Sequence, residues 1–145
     1  MERAGEFTIR HARWSHEADA IRSVRQRVFI DEQGVLPDEE WDDLDPSCHH
    51  LLAVDERGEA VGCTRLCPGG RLGRMAVLPR WRGQGVGRAL LEHVVELARR
   101  LGLSRLEADA QVRALGFYRR LGFQVCGPEF LDARIPHRRV WRELD

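Results

Sequence analysis

Gly73–Leu101, GRMAVLPRWRGQGVGRALLEHVVELARRL, decides the reading of this chain. Its start belongs to an apolar strand, Leu72 to Leu78, which Pro79 ends because proline has no N–H to give a sheet ladder. From about Gly85 to Leu101 the residues Val86, Leu90, Val94, Leu97/Ala98 and Leu101 recur at helical spacing. Arg88, Glu92, Glu96 and Arg99 fall off that stripe, and Gly102 stands where a helix-ending glycine would. Between strand and helix lies Arg82-Gly83-Gln84-Gly85-Val86-Gly87. Glycines at alternate positions leave backbone N–H groups uncovered where a helix start has unpartnered donors and a dipole favouring negative charge. Such a turn can wrap a phosphate, and Arg80, Arg82 and Arg88 add positive charge. Taken alone, the same glycines also describe a plain flexible connection. No GxxxxGK[ST] occurs, so this is not a P-loop. The dinucleotide fingerprint GxGxxG fails at its third glycine, where Arg88 stands, although Glu107 falls where that motif wants an acid.

Working outward, Ser104–Ala110 alternates Leu106, Ala108 and Ala110 with Arg105, Glu107 and Asp109, a strand with one packed face. A strand–helix–strand unit closes by a right-handed crossover, which makes its two strands parallel. Gln111–Leu121 then reads as a short helix closed by Gly122, and Phe123–Cys126 as a strand. Gly127-Pro128 reads as a turn, Phe130–Arg134 as a loop and His137–Leu144 as the last strand. On the other side, His50–Asp55 and Ala60–Leu66 are strands joined by the turn Arg57-Gly58-Glu59. Cys67-Pro68-Gly69-Gly70 turns again, so these strands and Leu72–Leu78 form an antiparallel meander. Glu6–His11 reads as a first strand. Ser15 reads as the N-cap of a helix with the face Ala18, Ile21, Val24 and Val28, running to about Phe29 or Ile30. Asp31–Glu56 contains no Arg, and its first half is strongly acidic. Besides a solvated loop, that pattern reads as an electronegative lip for a cationic amine.

Composition narrows the classes. The 145 residues suit one domain with a single core, and 43% of them are apolar. Formal net charge is zero, so no basic field recruits nucleic acid. Every basic side chain that is not His is Arg. There is no long apolar run for a membrane span and no signal-peptide core in the N-terminal stretch, so the expected compartment is the cytoplasm. Cys48, Cys63, Cys67 and Cys126 form no CxxC and no His pair follows at zinc spacing, so they read as reduced thiols, with no metal.

Arg82-x-x-Gly85-x-Gly87 after a strand resembles the acyl-CoA signature (R/Q)xxGxG/A of the Gcn5-related N-acetyltransferase (GNAT) superfamily. Downstream, Phe117-Tyr118-Arg119-Arg120-Leu121-Gly122-Phe123 resembles that superfamily's FYxxxGF, one helix and one strand further on. The form R-x-x-VF-x-x-EQ at Arg25–Gln33, the Gln111 seven residues before Tyr118, and Ile135-Pro136-His137 are closest to the ElaA-like branch. Two departures stand out: Gln111 replaces the usual Asn, and Arg134 replaces a Gly that would tolerate positive φ. The resemblance implies a single GNAT domain over residues 1–145, a mixed α/β sheet with helices on both faces and one parallel strand pair around the cofactor.

The same resemblance implies roles. Gly83, Gln84, Gly85, Val86, Gly87, Arg82 and Arg88 would hold the pyrophosphate of acetyl-CoA, with Arg120 reaching a phosphate. Backbone groups at Met75, Ala76 and Val77 would polarise the thioester carbonyl, Phe117 would pack against the core or the pantetheine arm, and Gln111 would be among the cofactor-binding residues. Tyr118, the one tyrosine of the chain, would protonate the departing thiolate, since a phenol of pKa about 10 can donate to a thiolate whose acid has pKa about 8.5. The base is Glu40 or Glu107, with His49, His50 and His137 also titrating in a useful range. The expected protein transfers an acetyl group from acetyl-CoA to a primary amine of a small molecule by direct attack. A non-catalytic acyl-CoA-binding or sensor module is the alternative, and a nucleotide-binding domain the third reading. Pairing of two copies along the final strand, as an edge, is left open.

Overall fold

The computed structural model describes residues 5–145. Residues 1–4, part of the N-terminal stretch read above for a signal segment, lie outside the described residues. Seven strands form one sheet: β1 (Phe7–Ala12), β2 (His49–Asp55), β3 (Ala60–Cys67), β4 (Arg71–Val77), β5 (Arg105–Gln111), β6 (Gln124–Asp132) and β7 (Ile135–Glu143). Their order is β1-β2-β3-β4-β5-β7-β6. Every neighbour pair is antiparallel except β4–β5, which is parallel. The helices are α1 (Trp14–Arg25), α2 (Pro37–Glu40), α3 (Val86–Arg100) and α4 (Leu115–Arg120).

The core is built on α3. Its stripe Val86, Leu90, Leu91, Val94, Val95, Leu97 and Ala98 is buried, and Leu106, Ala108 and Ala110 of β5 and Val140 of β7 are buried with it. At Gly62 in β3 a Cβ would come within 3.0 Å of Val86, so the missing side chain lets α3 sit directly on the strand. The next residue, Cys63, turns to the opposite face toward Arg25, where Ile21 and Val24 of α1 and Val28 just beyond it close the other layer.

Several local readings are corrected by the structure. Arg13, in extended conformation, precedes α1, and Ser15 lies inside the helix with its hydroxyl on the His16 ring. The α-helix ends at Arg25 and continues as a π-helical turn, Gln26–Glu32. Wider turns of this kind cluster at functional sites. Gln111 belongs to β5, and α4 begins only at Leu115, after a 3₁₀ turn at Val112–Ala114. Phe130–Asp132 is strand, because β6 runs past an irregularity between Cys126 and Phe130 and pairs with β7 to its end. Ala133 and Arg134 make the hairpin turn, both at positive φ (49° and 68°), so Arg134 adopts the conformation that a Gly would favour. The final strand β7 is interior; the sheet edges are β1 and β6. The cysteines are not all thiols: Cys48 and Cys67, brought opposite one another by the β2–β3 register, form a disulfide, and Cys63 and Cys126 are free.

Candidate active site

β4 and β5 meet at a single pair, Arg71 with Glu107, reinforced by the Glu107 N–H donating to the Gly70 carbonyl at 2.9 Å. Beyond it the strands part, and a cleft of about 1190 Å³ opens between them. Met75, Ala76 and Val77 line its β4 side, and Asp109, Ala110 and Gln111 its β5 side. The wedge begins at Gly70, where φ is +83° and a Cβ would lie 2.3 Å from the Arg105 carbonyl oxygen. Arg74, at φ +50°, marks the irregular β3–β4 register next to it.

One end of the cleft is the glycine turn. Pro79–Trp81 makes a 3₁₀ turn and Trp81 is buried, which anchors the loop from below. Gly83 and Gly85 take left-handed φ of 74° and 88°, and α3 starts at Val86 with no side-chain cap. Its first-turn N–H groups therefore have no side-chain cap, the arrangement at a helix start that favours negative charge. Gly87 is packed: a Cβ there would touch the Phe117 ring at 3.5 Å and the Met75 sulfur at 3.9 Å. The neighbouring cations are less free than the sequence suggests. Arg82 donates to both carboxylate oxygens of Glu32 at 2.6 Å and to the Val77 carbonyl at 2.9 Å, tying the turn to the π-helical segment and holding Glu32 below the usual carboxylate range. Arg88 pairs with Glu92 on the exposed face of α3. The Gln84 amide donates to the Arg80 carbonyl, and Gln84 does not line the cleft. Arg113 and Arg120, from the segment after β5, do line it.

Tyr118 sits at the cleft beside this turn. Its ring is held edge-on between Phe117 and Phe123, at centroid distances of 5.2 and 5.4 Å. Burial pushes its phenol up to about 12, so it stays protonated at neutral pH. Among the described residues its hydroxyl makes no hydrogen bond, which leaves the proton available to a group in the cleft.

The acidic stretch does not form the electronegative lip read from the sequence, because arginines from distant elements fold onto it. Arg25, fully buried, donates to Glu40 at 2.8 Å and to Asp45 at 2.7 Å. Arg65 takes Asp45 at 2.9 Å and both oxygens of Asp42 at 2.8 and 2.7 Å. Arg74 reaches Asp42 at 3.2 Å and lies 3.1 Å from Glu40, its Nε too far off line for a hydrogen bond. Three carboxylates thus face three guanidinium groups in a ring without net charge. Asp42 is held down to about 2, chiefly by Arg65, while burial outweighs the cations and raises Glu40. Glu39 is likewise engaged, by the Arg134 guanidinium at 2.9 and 3.1 Å.

These placements separate the sequence candidates. Glu40 lines the cleft but is locked in the ring; Glu107 lies outside the lining and faces Arg105 and Arg139 at 3.2 and 3.4 Å. His50 is buried against Trp14 with Nε2 on the Asp45 carbonyl, and His49 pairs with His11 away from the cleft. His137 lines the cleft. Gln111 donates to Gln33 at 2.9 Å, joining β5 to the π-helical turn across the opening. Arg74 carried no signal in the sequence, since a left-handed arginine leaves no spacing to read, and Gln33 was legible only as the end of the R-x-x-VF-x-x-EQ form. Among the described residues no group of three or more His, Cys, Asp and Glu is arranged to hold a metal ion, and no helix is long and apolar enough to cross a membrane.

Known proteins share this geometry. Residues 15–123 match the acetyltransferase (GNAT) family. A Bacillus subtilis protein described as the uncharacterized N-acetyltransferase YjcF is 36% identical over 123 residues, covering 83% of this chain and 88% of its own. The crystal structure of an acyl-CoA N-acyltransferase from Pseudomonas aeruginosa superposes with a TM-score of 0.84 at 29% identity, over 94% of this chain and 99% of that one. Escherichia coli ElaA gives the same TM-score at 22% identity, over 95% and 100%, so ElaA is a structural neighbour without being singled out as the nearest branch. With its parted β4–β5 pair, its uncapped glycine turn and this match over most of its length, the chain belongs to the GNAT acetyltransferase family.

Proposed function

We propose that this protein transfers an acetyl group from acetyl-CoA to a primary amine of a small molecule, by direct attack of the amine on the thioester. The family works with acyl-CoA. The observation that carries the reading is Tyr118: a phenol kept protonated by burial, with no hydrogen-bond partner among the described residues, at the wall of the cleft where β4 and β5 part. In this reading the cradle at Gly83–Gly87 holds the pyrophosphate and Arg120 a further phosphate. The open edge of β4 at Met75–Val77 supplies donors for the carbonyl oxygen as charge develops on it. Phe117 packs along the cofactor arm, and Tyr118 protonates the leaving thiolate. The compartment this calls for is the cytoplasm, where acetyl-CoA is made, and a second copy would pair along the open edge of β6.

The test is acetyl-CoA-dependent thiol release with spermidine, glucosamine, kanamycin and a tripeptide N-terminus, run with the wild type and with Tyr118→Phe. Release with one amine class, slowed in the variant, is the expected result. The neutralised ring at Glu40, Asp42 and Asp45 favours a second reading, an acyl-CoA sensor without turnover. A rise in melting temperature with acetyl-CoA and no release with any amine would establish the sensor.

A further inference from the structure

We propose that His137 is the general base that takes the proton from the incoming ammonium; this rests on the acetyl-transfer reading above. An alkylammonium with a pKa of roughly 10 cannot attack until it loses a proton, and a good base titrates near the working pH. Three of the carboxylates along the cleft are engaged, Glu40 by Arg25 and Arg74, Glu39 by Arg134, and Asp109 by Arg139 at 2.6 Å, and the fourth, Asp132, is exposed at the hairpin end of β6. His137 is arranged differently. Its Nδ1 lies 2.6 Å from the Ile135 carbonyl oxygen. A carbonyl only accepts, so Nδ1 carries the proton and the neutral ring presents its lone pair at Nε2. Nε2 has no partner among the described residues and is not fully buried, and His137 lines the cleft.

The ring is also held in place. Phe130 of β6 stacks on it with centroids 5.9 Å apart and planes inclined by 24°. The β5–β7 register sets His137 beside Gln111, at the end of β5 where β4 has already parted. Acid and base thus line one cleft from different elements, Tyr118 from α4 and His137 from β7. The charged groups that line the cleft on neighbouring elements are Asp109 on β5, Arg113 beyond it and Asp132 on β6, with Glu39 held by Arg134 at the hairpin tip.

The step balances without a further reactant. Nε2 removes one ammonium proton, and the freed nitrogen pair attacks the thioester carbon. The carbon–sulfur bond breaks, the sulfur takes the Tyr118 proton, and the phenolate recovers the remaining surplus proton of the new amide nitrogen. His137 then releases its proton to solvent.

The test is His137→Asn, whose side-chain amide can still donate to the Ile135 carbonyl but cannot act as a base. Turnover is compared at pH 7 with the fastest amine of the panel and with O-methylhydroxylamine, a weakly basic amine already neutral at that pH. The expected result is a loss of about 100-fold in kcat with the alkylamine, a much smaller loss with O-methylhydroxylamine, and an unchanged KM for acetyl-CoA. Equal losses with both amines, or none, overturn the role of His137 and leave the transferase reading standing. Absence of turnover with any amine in the wild type overturns it together with the reading on which it rests.

Discussion

Tyr118 shows what burial does to a single functional group. Enclosed by Phe117 and Phe123, its phenol is pushed up to about 12. A neutral phenol is favoured by desolvation, so the acid form persists well above neutrality. Tyr118→Phe keeps the packed ring and removes only the hydroxyl. Steady-state kinetics should show kcat lowered about 100-fold with the KM for acetyl-CoA unchanged. In the wild type no decline in kcat traceable to Tyr118 should be found below about pH 11, since its protonated form is still the major one there. The position of Tyr118 was legible because its FY pair stands at a fixed remove from the glycine turn. Its ionisation was not, because that depends on Phe123 and on how tightly the cleft wall closes.

At the scale of elements, the wedge and the acidic segment carry the next expectations. Gly70 holds a left-handed conformation against the Arg105 carbonyl, where β4 and β5 make their one pair. Gly70→Ala should destabilise the fold by at least about 2 kcal/mol, through backbone strain and the clash together, visible as a fall in melting temperature. The acidic segment was legible as charge, but the burial of Glu40 and Asp45 within it was not. Its partners Arg25, Arg65 and Arg74 lie on α1, β3 and β4, and no local pattern announces which acid each will meet. Asp42 is held well below its ordinary value in the folded chain, so its contribution is complete above about pH 4 and is lost as pH falls toward 2. Solvent reaches it, so about 1 kcal/mol is the expected size. Denaturant unfolding from pH 5 to pH 2 should show this loss, and Asp42→Asn should lack it. Glu40 works with the opposite sign: its raised pKa means that protonation relieves a buried charge as pH falls.

For the whole molecule, the antiparallel meander and the parallel crossover were readable because hydrophobic periodicity and chain direction leave few alternatives, whereas the insertion of β7 between β5 and β6 was not. What joins remote parts was not. The Cys48–Cys67 disulfide closes a separation of 19 residues, and its pairing follows from the β2–β3 register rather than from cysteine spacing. Opening it with a phosphine reductant should lower the unfolding free energy by about 3 kcal/mol, measured by urea denaturation of both forms. The β6–β7 hairpin is another such joint. It lies beyond residues 15–123, the part that matches the family, yet it brings Arg134 to Glu39 and His137 to the cleft. One pocket is therefore built from two stretches of chain: the wall with the glycine turn lies inside the matched residues, and the far wall is a separate ribbon whose side chains can be exchanged without touching that turn.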